Sequence, residues 1–284
     1  MIKKFDISFI ILTWNSVEFI KECVESYVAS INKENLSAEF LIVDNGSLDN
    51  TLEIIKNKIL PVLPDSCKLI LIELEKNYGT TYSRNVGLKR AAGSFIVICD
   101  SDTYFAQGSW RDIINYLEKN SEVGILAPLL MYKDETLQRS VKRFPIIKDK
   151  LLKLKQIFFG INAKSSDQYL EFPWKSSQEV DTAISAFWIF KREVLEEIGL
   201  FDEKIFYAPE DLDYCLRVWK SGKKVVFYPD FKIVHNTQQI SHKKPFSLIA
   251  LSHFLGLGYY FFKHNYFLSR KKVYAKIKDI KAKK

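Results

Sequence analysis

Residues 95–102 have the sequence FIVICDSD, an apolar run that leads directly into two carboxylates separated by one serine. A continuous run of Ile, Val and Phe is typical of a parallel strand that is buried on both faces. We therefore predict a buried strand over Phe95–Cys99 that delivers Asp100, Ser101 and Asp102 to one end of a sheet. In open α/β sheets, ligands bind outside the carboxyl ends of the strands.

Three earlier apolar segments alternate with helical patterns in the same way. The predicted strands are Ile7–Thr13, Glu39–Val43 and Lys68–Leu74. The predicted helices span about residues 17–31, 49–60 and 80–92. Four such units in a row imply an α/β fold with a mostly parallel central sheet, right-handed crossovers and flanking helices.

Polar side chains follow each of the predicted strands. They are Thr13 and Asn15, then Asp44 and Asn45, then Asn77 and Gly79, and finally Asp100, Ser101 and Asp102. A carboxylate such as Asp44 can accept a hydrogen bond from a nucleobase or a ribose. Arg84 and Asn85 lie near the start of a helix, where a cation and backbone N–H groups suit a diphosphate. For Arg84, a surface salt bridge stays open as an alternative.

Acidic groups in two places indicate metal and proton chemistry. Asp100 and Asp102 offer the oxygen ligands that Mg²⁺ or Mn²⁺ prefers, although a solvated acidic turn would have the same sequence. Glu210 and Asp211 open a predicted helix that ends near Gly222, where acids also favour the helix dipole. A carboxylate there can act as a general base. His235 follows a short strand and is a candidate nitrogen ligand.

Composition sets the broad class. The chain has 284 residues, of which 47% are hydrophobic and 27% charged, as expected of a globular protein with a real core. We expect no secretory leader and no membrane span, because no uninterrupted apolar run approaches the ~18 residues that a span needs. The four cysteines are scattered, which favours reduced thiols and a cytoplasmic protein.

The net charge of +8 is concentrated in the last residues. Lys263–Lys284 contains nine Lys or Arg and one Asp, so the rest of the chain is neutral. A neutral body argues against nucleic acid as a partner. Residues 246–262 are rich in Leu, Phe and Tyr and could dock on the catalytic domain or lie in a membrane interface. Val273, Ile277 and Ile280 then form an apolar stripe among lysines. This pattern predicts a helical tail over 241–284 that contacts an anionic membrane surface, or else a solvated lysine tail.

Taken together, these segments resemble glycosyltransferase family 2, whose members have the GT-A fold. The matching segments are Ile10–Asn15, Val43–Thr51, Asn77–Asn85 with Gly87, Asp100–Asp102, Gly199–Asp202, Glu210–Arg217 and Val226–His235. The second half is most similar to the rhamnosyltransferase-like members, which build bacterial cell-surface polysaccharides. Those members often carry Asn-Pro-Asp-Thr where this chain has Asp-Ser-Asp-Thr at 100–103, which leaves the donor sugar open.

The resemblance implies a domain over residues 1–240, with a nucleotide-binding half over about 1–105 and an acceptor-side half over about 106–240. It implies an inverting, metal-dependent transfer from a dTDP- or UDP-sugar to a hydroxyl of a glycan or a lipid-linked glycan.

The resemblance also implies roles for individual residues. The nucleotide sugar would be bound by Thr13, Asn15, Asp44, Asn45, Asn77, Gly79, Arg84, Asn85, Asp100 and Ser101. Asp102, His235 and Asp100 would hold the metal, and Asp211 would be the base with Glu210 beside it. Trp188 and Asp213 are assigned to the acceptor side.

A nucleotidyltransferase would open with a glycine-rich, basic loop after the first strand, which this chain lacks. A nicotinamide dehydrogenase would carry G-x-G-x-x-G after the first strand, where this chain has Thr-Trp-Asn-Ser. A catalytically silent family member that acts as a membrane-associated assembly subunit is the remaining alternative, and the intact acidic set argues against it.

Overall fold

The computed structural model describes residues 5–159, 165–169, 171–237 and 248–283. The strands are β1 (Phe5–Thr13), β2 (Ala38–Asp44), β3 (Cys67–Glu73), β4 (Gly93–Asp100), β5 (Thr103–Gln107), β6 (Val123–Met131), β7 (Val141–Lys142), β8 (Gln178–Glu179), β9 (Thr182–Ala183), β10 (Phe187–Lys191) and β11 (Lys224–His235). The helices are α1 (Ile20–Lys33), α2 (Thr51–Ile54), α3 (Thr80–Leu88), α4 (Trp110–Lys119), α5 (Ile147–Phe159), α6 (Arg192–Ile198), α7 (Glu210–Lys220), α8 (Leu248–His264) and α9 (Lys271–Lys283).

One mixed sheet organises the molecule, in the order β3-β2-β1-β4-β10-β6-β11-β5. The strands β3, β2, β1 and β4 are parallel, which confirms the predicted α/β fold with a mostly parallel sheet. The strand β10 then runs antiparallel to both β4 and β6, while β6 and β11 are parallel. The prediction of a fourth strand–helix unit is wrong, because a two-residue turn leads from β4 straight into β5.

The central strands are buried on both faces, which explains their unbroken apolar sequences. Alternate residues of β1 point to opposite sides of the sheet. Phe9 and Ile11 join a core that contains Tyr27 and Trp110, whereas Ile10 joins a second core that contains Trp188. A one-residue shift of β1 would turn each of its side chains to the opposite face of the sheet. Because both faces are buried, this shift would place each side chain in the wrong core, and the register is therefore fixed.

Two of the first helices have different boundaries from those predicted. The helix α1 begins at Ile20, three residues later than predicted from the apolar pattern. After the four residues of α2, the chain tightens into a π-helical turn (Ile55–Ile59) and a 3₁₀ turn (Leu60–Val62). Pro61 lies in the 3₁₀ turn, and its missing N–H prevents a regular α-helix from continuing.

The helices α8 and α9 pack against the second core. Tyr260, Tyr266, Val273 and Ile277 are all less than one-tenth exposed. The apolar stripe that the sequence assigned to a membrane therefore faces the protein at Val273 and Ile277, and that part of the prediction is wrong. The predicted boundary near residue 240 and the start of the tail at 241–247 lie outside the described residues. None of the described helices is both long enough and apolar enough to span a bilayer.

Candidate active site

A cavity of about 590 Å³ opens at the carboxyl ends of β1 and β4 and is closed on the far side by the start of α7. Its lining brings together residues from across the chain, among them Trp14, Asn77, Gly79, Asp100, Asp102, Glu210, Asp211 and His235. The parallel sheet explains this convergence, because it turns the carboxyl ends of neighbouring strands to the same edge.

Asp100, Asp102 and His235 form a cluster with the donor set of a metal site. One potential ligand atom from each lies within 4.8 Å of the other two. His235 Nε2 is 3.5 Å from Asp102 Oδ1. Two carboxylates and one imidazole suit Mn²⁺, and carboxylates with water suit Mg²⁺. The residues therefore fit a divalent cation, and β4, its turn and the end of β11 supply them.

The imidazole of His235 is oriented by a residue that the sequence analysis missed. His235 Nδ1 is 3.0 Å from Gln138 Oε1. Because a carboxamide oxygen accepts a hydrogen bond, Nδ1 carries the proton and the lone pair of Nε2 faces Asp102. Burial lowers the pKa of His235, while the charge of Asp100 acts in the opposite direction. A neutral ring with a fixed tautomer is what a metal ligand requires.

Arg84 joins the metal cluster to the acids of α7. Its Nη2 donates to Asp100 Oδ1 at 2.6 Å, and its Nη1 donates to Glu210 Oε1 at 3.1 Å and to Ser185 Oγ at 2.8 Å. The side chain is 2% exposed, so the guanidinium is a buried bridge and the surface salt bridge is excluded. Burial lowers the pKa of Arg84, but Asp100 and Glu210 more than offset it and raise the value.

Glu210 and Asp211 have different surroundings although they are adjacent. Glu210 Oε1 accepts hydrogen bonds from Ser185 Oγ at 2.7 Å and from Arg84. Burial, followed by the charge of Asp211, raises the pKa of Glu210 to about 7. Asp211 Oδ1 accepts from the Leu212 amide at 2.7 Å, and within the described residues this is its one hydrogen bond. Burial also raises the pKa of Asp211. A carboxylate with one oxygen free and a raised pKa is suited to take up a proton.

Asn45, Asn77 and Gly79 hold the loop before α3 against the cavity. Asn45 Nδ2 donates to Asn77 Oδ1 at 3.0 Å, and Asn45 Oδ1 accepts from the Tyr78 amide at 2.8 Å. Gly79 has a φ of +88°, and a Cβ there would lie 2.3 Å from the carbonyl oxygen of Phe206. Glycine is therefore required at this position.

Thr13, Asn15 and Asp44 lie together beside Asn45. Asp44 is 1% exposed, and its carboxylate accepts from both the amide and the hydroxyl of Ser47. Asn15 Oδ1 accepts from the Leu48 amide at 2.8 Å. Thr13 Oγ1 is buried without a hydrogen-bond partner among the described residues. Ser101, on the metal side, shares a 2.7 Å hydrogen bond with Ser16 and lines the cavity.

A family model agrees with this geometry. The model of glycosyl transferase family 2 matches residues 8–199, which is more than half of the chain. The chain belongs to glycosyl transferase family 2. A relative from Mycobacterium tuberculosis, described as N-acetylglucosaminyl-diphospho-decaprenol L-rhamnosyltransferase, is 23% identical over 243 residues, which are 81% of this chain and 77% of the relative.

Solved structures show the same fold as this glycosyltransferase. TarS 1-349 of S. aureus in complex with UDP-GlcNAc has a TM-score of 0.62 at 18% identity, covering 97% of this chain and 71% of that one. GalNAc-T7 with UDP, GalNAc and Mn²⁺ has a TM-score of 0.59 at 15% identity, covering 93% of this chain and 55% of that one. This chain thus spans little more than half of the second structure. At these identities the likeness shows the GT-A fold alone.

Six of the residues assigned to the site from the sequence do not line the cavity in this glycosyltransferase: Thr13, Asn15, Asp44, Asn85, Trp188 and Asp213. The Asn85 amide is occupied by Phe201 and Glu203, so the residue braces α3 and does not face a nucleotide sugar. Trp188 is fully buried between Phe201 and Tyr214. The acceptor-side assignment of Trp188 is wrong, since its position on β10 turns it into the second core.

Asp213 is another of these residues, and it fastens the C-terminal helices. It is 1% exposed and accepts from Lys263 Nζ at 2.6 Å, His264 Nε2 at 2.8 Å and Arg217 Nε at 2.9 Å. Burial raises the pKa of Asp213, but the hydrogen bond from His264 and the charges of Arg217 and Lys263 more than offset it and hold the value well below its usual range. The acceptor-side assignment of Asp213 is wrong, because Asp213 lies one half-turn beyond Asp211 on the buried face of α7.

The acceptor-side wall contains basic residues that the sequence analysis did not single out. Arg139, Lys142, Arg143 and Lys150 all line the cavity. They lie within residues 133–174, where the sequence mixes charges and prolines and has few periodic runs, so that long loops with short elements are expected. In the structure Lys142 lies on β7 and Lys150 on α5, and no sequence motif marks either side chain as facing a site.

Proposed function

We propose that this family 2 glycosyltransferase transfers a sugar from a nucleoside diphosphate to an acceptor hydroxyl, with inversion at the anomeric carbon and Asp211 as the base. One observation carries the proposal. The free carboxylate oxygen of Asp211 belongs to the same cavity as the Asp100, Asp102 and His235 cluster. A donor whose diphosphate lies at that cluster has its anomeric carbon between the two groups.

The cluster would hold Mg²⁺ or Mn²⁺ through Asp102, His235 and Asp100. When bound, such a cation neutralises the charge that develops on the departing diphosphate. Arg84 keeps Asp100 fixed from behind, and Gln138 keeps the His235 lone pair aimed at Asp102. The protein thus supplies a donor set whose members are already oriented, which lowers the cost of assembling the site on binding.

Asp211 would take the proton of the attacking hydroxyl. Its neighbour Glu210 is less suited to this role, because it forms an ion pair with the buried guanidinium of Arg84 and accepts a hydrogen bond from Ser185, whereas Asp211 has no ion pair with any described residue. Glu210 instead fixes the first turn of α7, and thereby the position of Asp211, relative to the metal cluster. Attack from the face opposite the diphosphate, with one base and one displacement, inverts the anomeric configuration.

The base and ribose of the donor would lie beside Asn77 and Asn45, with Asp44, Thr13 and Asn15 at the inner end. Asn45 and Asn77 line the cavity and offer amide groups to a pyrimidine or ribose, whereas Thr13 and Asp44 are buried behind them and would hold the ends of β1 and β2 in place. A UDP or dTDP carrier fits this reasoning. The mycobacterial relative is described as a rhamnosyltransferase and the TarS complex contains UDP-GlcNAc, so rhamnose and N-acetylglucosamine are the donor sugars to test first.

The acceptor would be a glycan or a lipid-linked glycan, presented at an anionic membrane surface. An apolar patch on and after α8 supports this part of the proposal: Phe254, Leu255, Phe262 and Leu268 are 62%, 62%, 78% and 79% exposed. Exposed lysines follow at the start of α9. Aromatic and aliphatic side chains next to basic ones are the composition of interfacial membrane contacts.

Vesicle co-sedimentation tests the membrane contact. We expect the protein to sediment with vesicles that contain phosphatidylglycerol and not with phosphatidylcholine vesicles, and we expect Phe254→Ser/Phe262→Ser to abolish the difference. Val62→Ser is the matched control, because Val62 is 66% exposed and lies outside the tail. Equal sedimentation of the double variant and the wild type would contradict the assignment of the patch.

A thermal-shift panel tests the donor site. UDP, dTDP, GDP and NAD are each added with and without Mn²⁺, and the panel is repeated on Asp102→Ala. A ligand that binds the native state raises its melting temperature by mass action. Metal-dependent stabilisation by UDP or dTDP that is lost in the variant supports the proposal. Stabilisation by none of the diphosphates would contradict it and favour a silent assembly subunit.

A further inference from the structure

The part of the cavity wall next to Asp211 is strongly basic. Lys142 lies on β7, Arg143 follows it, and Lys150 comes from the first turns of α5. Two short and separate elements thus direct three cations into one part of the cavity.

The acids next to this wall, Asp167 and Asp211, are fewer than its cations, which are Arg139, Lys142, Arg143 and Lys150. Among the described residues, the carboxylate nearest to Lys150 is that of Asp167, and the Nζ–Oδ2 distance of 3.8 Å is at the limit of an ion pair. Lys142 forms no ion pair with any described residue. Arg143 forms no ion pair with any described residue and lies over the ring of Tyr169, 5.3 Å from its centroid. Cations that converge on a half-enclosed space without matching acids favour an anionic ligand.

The position of the wall indicates which substrate carries that anion. The donor diphosphate already has a place at Asp100, Asp102 and His235. Lys142 and Lys150 are close enough to Asp211 for their charges to oppose the effect of burial on the pKa of Asp211. The basic wall therefore borders the base, where the acceptor hydroxyl would lose its proton.

We propose that Lys142, Arg143 and Lys150 form an anion subsite that binds a phosphate group carried by the acceptor. The inference rests on the proposed transferase function and deepens it by naming the acceptor class: a sugar whose neighbouring substituent is a phosphate ester. Lysine ammonium groups act as point charges and tolerate several phosphate geometries, while the planar fork of Arg143 can bind two phosphate oxygens at once. A soluble glycosyl phosphate and a lipid-linked diphosphate share this chemistry.

Calorimetry on the full chain tests the subsite. The donor site is first saturated with UDP and Mn²⁺, and the 1-phosphates of N-acetylglucosamine, glucose and galactose are then titrated against their methyl glycosides. We expect at least one phosphate to bind roughly tenfold or more tightly than its methyl glycoside, and Lys142→Gln/Lys150→Gln to remove that advantage, since each lysine contributes a charge-assisted hydrogen bond. Lys148→Gln is the matched control, because Lys148 is exposed on the same helix two residues from Lys150.

The first titration separates failure of the subsite from failure of the function. Suppose that UDP and Mn²⁺ bind. The subsite is then refuted, and the transferase function stands, if each sugar phosphate binds no better than its methyl glycoside. The same conclusion holds if the phosphates bind equally to the wild type and to the double variant. If UDP does not bind in the presence of Mn²⁺, the function fails and the subsite fails with it. A farnesyl-diphosphate-linked N-acetylglucosamine arm distinguishes the two sources. Tighter binding than the 1-phosphate assigns the subsite to a lipid-linked diphosphate, and weaker binding assigns it to a soluble phosphate.

Discussion

Replacing Arg84 by methionine should destabilise the protein through the carboxylates that it leaves behind. The guanidinium is 2% exposed and bridges Asp100 and Glu210, and methionine keeps an unbranched stem without the charge. Removing one partner of a buried ion pair costs about 3–5 kcal/mol. Most of this cost comes from Glu210, whose side chain is 9% exposed, because Asp100 is 34% exposed and is screened by water.

The pH dependence of this cost follows from the pKa of Glu210. Burial and the charge of Asp211 raise that pKa to about 7 from the ordinary value of 4.5, while Arg84 acts to lower it. An acid with a raised pKa in the folded state contributes stability that is fully present below pH 4.5 and is lost as the pH rises through about 7. Without Arg84 the ionised form is disfavoured further, so the deficit of Arg84→Met should be larger at pH 8 than at pH 5.

Urea denaturation at pH 5 and pH 8 measures this deficit. At pH 8 we expect the free energy of unfolding to fall by about 3–5 kcal/mol and the melting temperature to fall by roughly 6–15 °C. Arg84→Lys is the matched variant, since it restores a charge without the fork and should recover part of the stability. A deficit below ~1 kcal/mol, or one that does not change with pH, would refute the view of Arg84 as a charge bridge.

Two further predictions concern residues whose roles the structure revealed. Gln138→Leu should weaken Mn²⁺ binding about 10–100-fold in calorimetry with UDP present, because the His235 ring loses the partner that fixes its tautomer; unchanged affinity would contradict that role. Asp213→Asn should release α8 and α9, seen as faster tryptic cleavage after residue 237 and a loss of about 3 kcal/mol at pH 7, since Lys263 and His264 lose a buried partner. Because the pKa of Asp213 is depressed, its contribution is present above 3.8 and is lost as the pH falls through the lower value of the folded state, so wild type and variant should converge in acid.

The ends of the parallel strands could be predicted from the sequence because they depend on local patterns. An apolar run followed by carboxylates located Asp100 and Asp102, and the order of such runs predicted the parallel half of the sheet. Whether a side chain faces the cavity or the core could not be predicted as well. Trp188 and Asp213 were assigned to the acceptor side although β10 and α7 turn them into the second core.

Contacts between segments that are far apart along the chain could not be predicted from the sequence. Gln138 meets His235 across 97 residues of chain, and no motif marks a glutamine in a loop as a partner of histidine. The basic wall at Lys142 and Lys150 was missed for the same reason. The apolar stripe of α9 was recognised as a stripe, but whether such a stripe covers lipid or protein depends on what lies opposite, and here the second core lies opposite Val273 and Ile277.

The central claim is that Asp211 is the base of a sugar transfer, and the most direct measurement compares turnover with donor binding in Asp211→Asn. Nucleoside diphosphate release is followed with UDP- and dTDP-sugars and a panel of glycoside and glycosyl-phosphate acceptors. Asp230→Asn serves as a control because Asp230 is exposed on β11. We expect Asp211→Asn to lower kcat by about 10²–10⁴ and to leave the affinity for the nucleoside diphosphate unchanged. Turnover at the wild-type rate, or loss of diphosphate binding together with turnover, would contradict it.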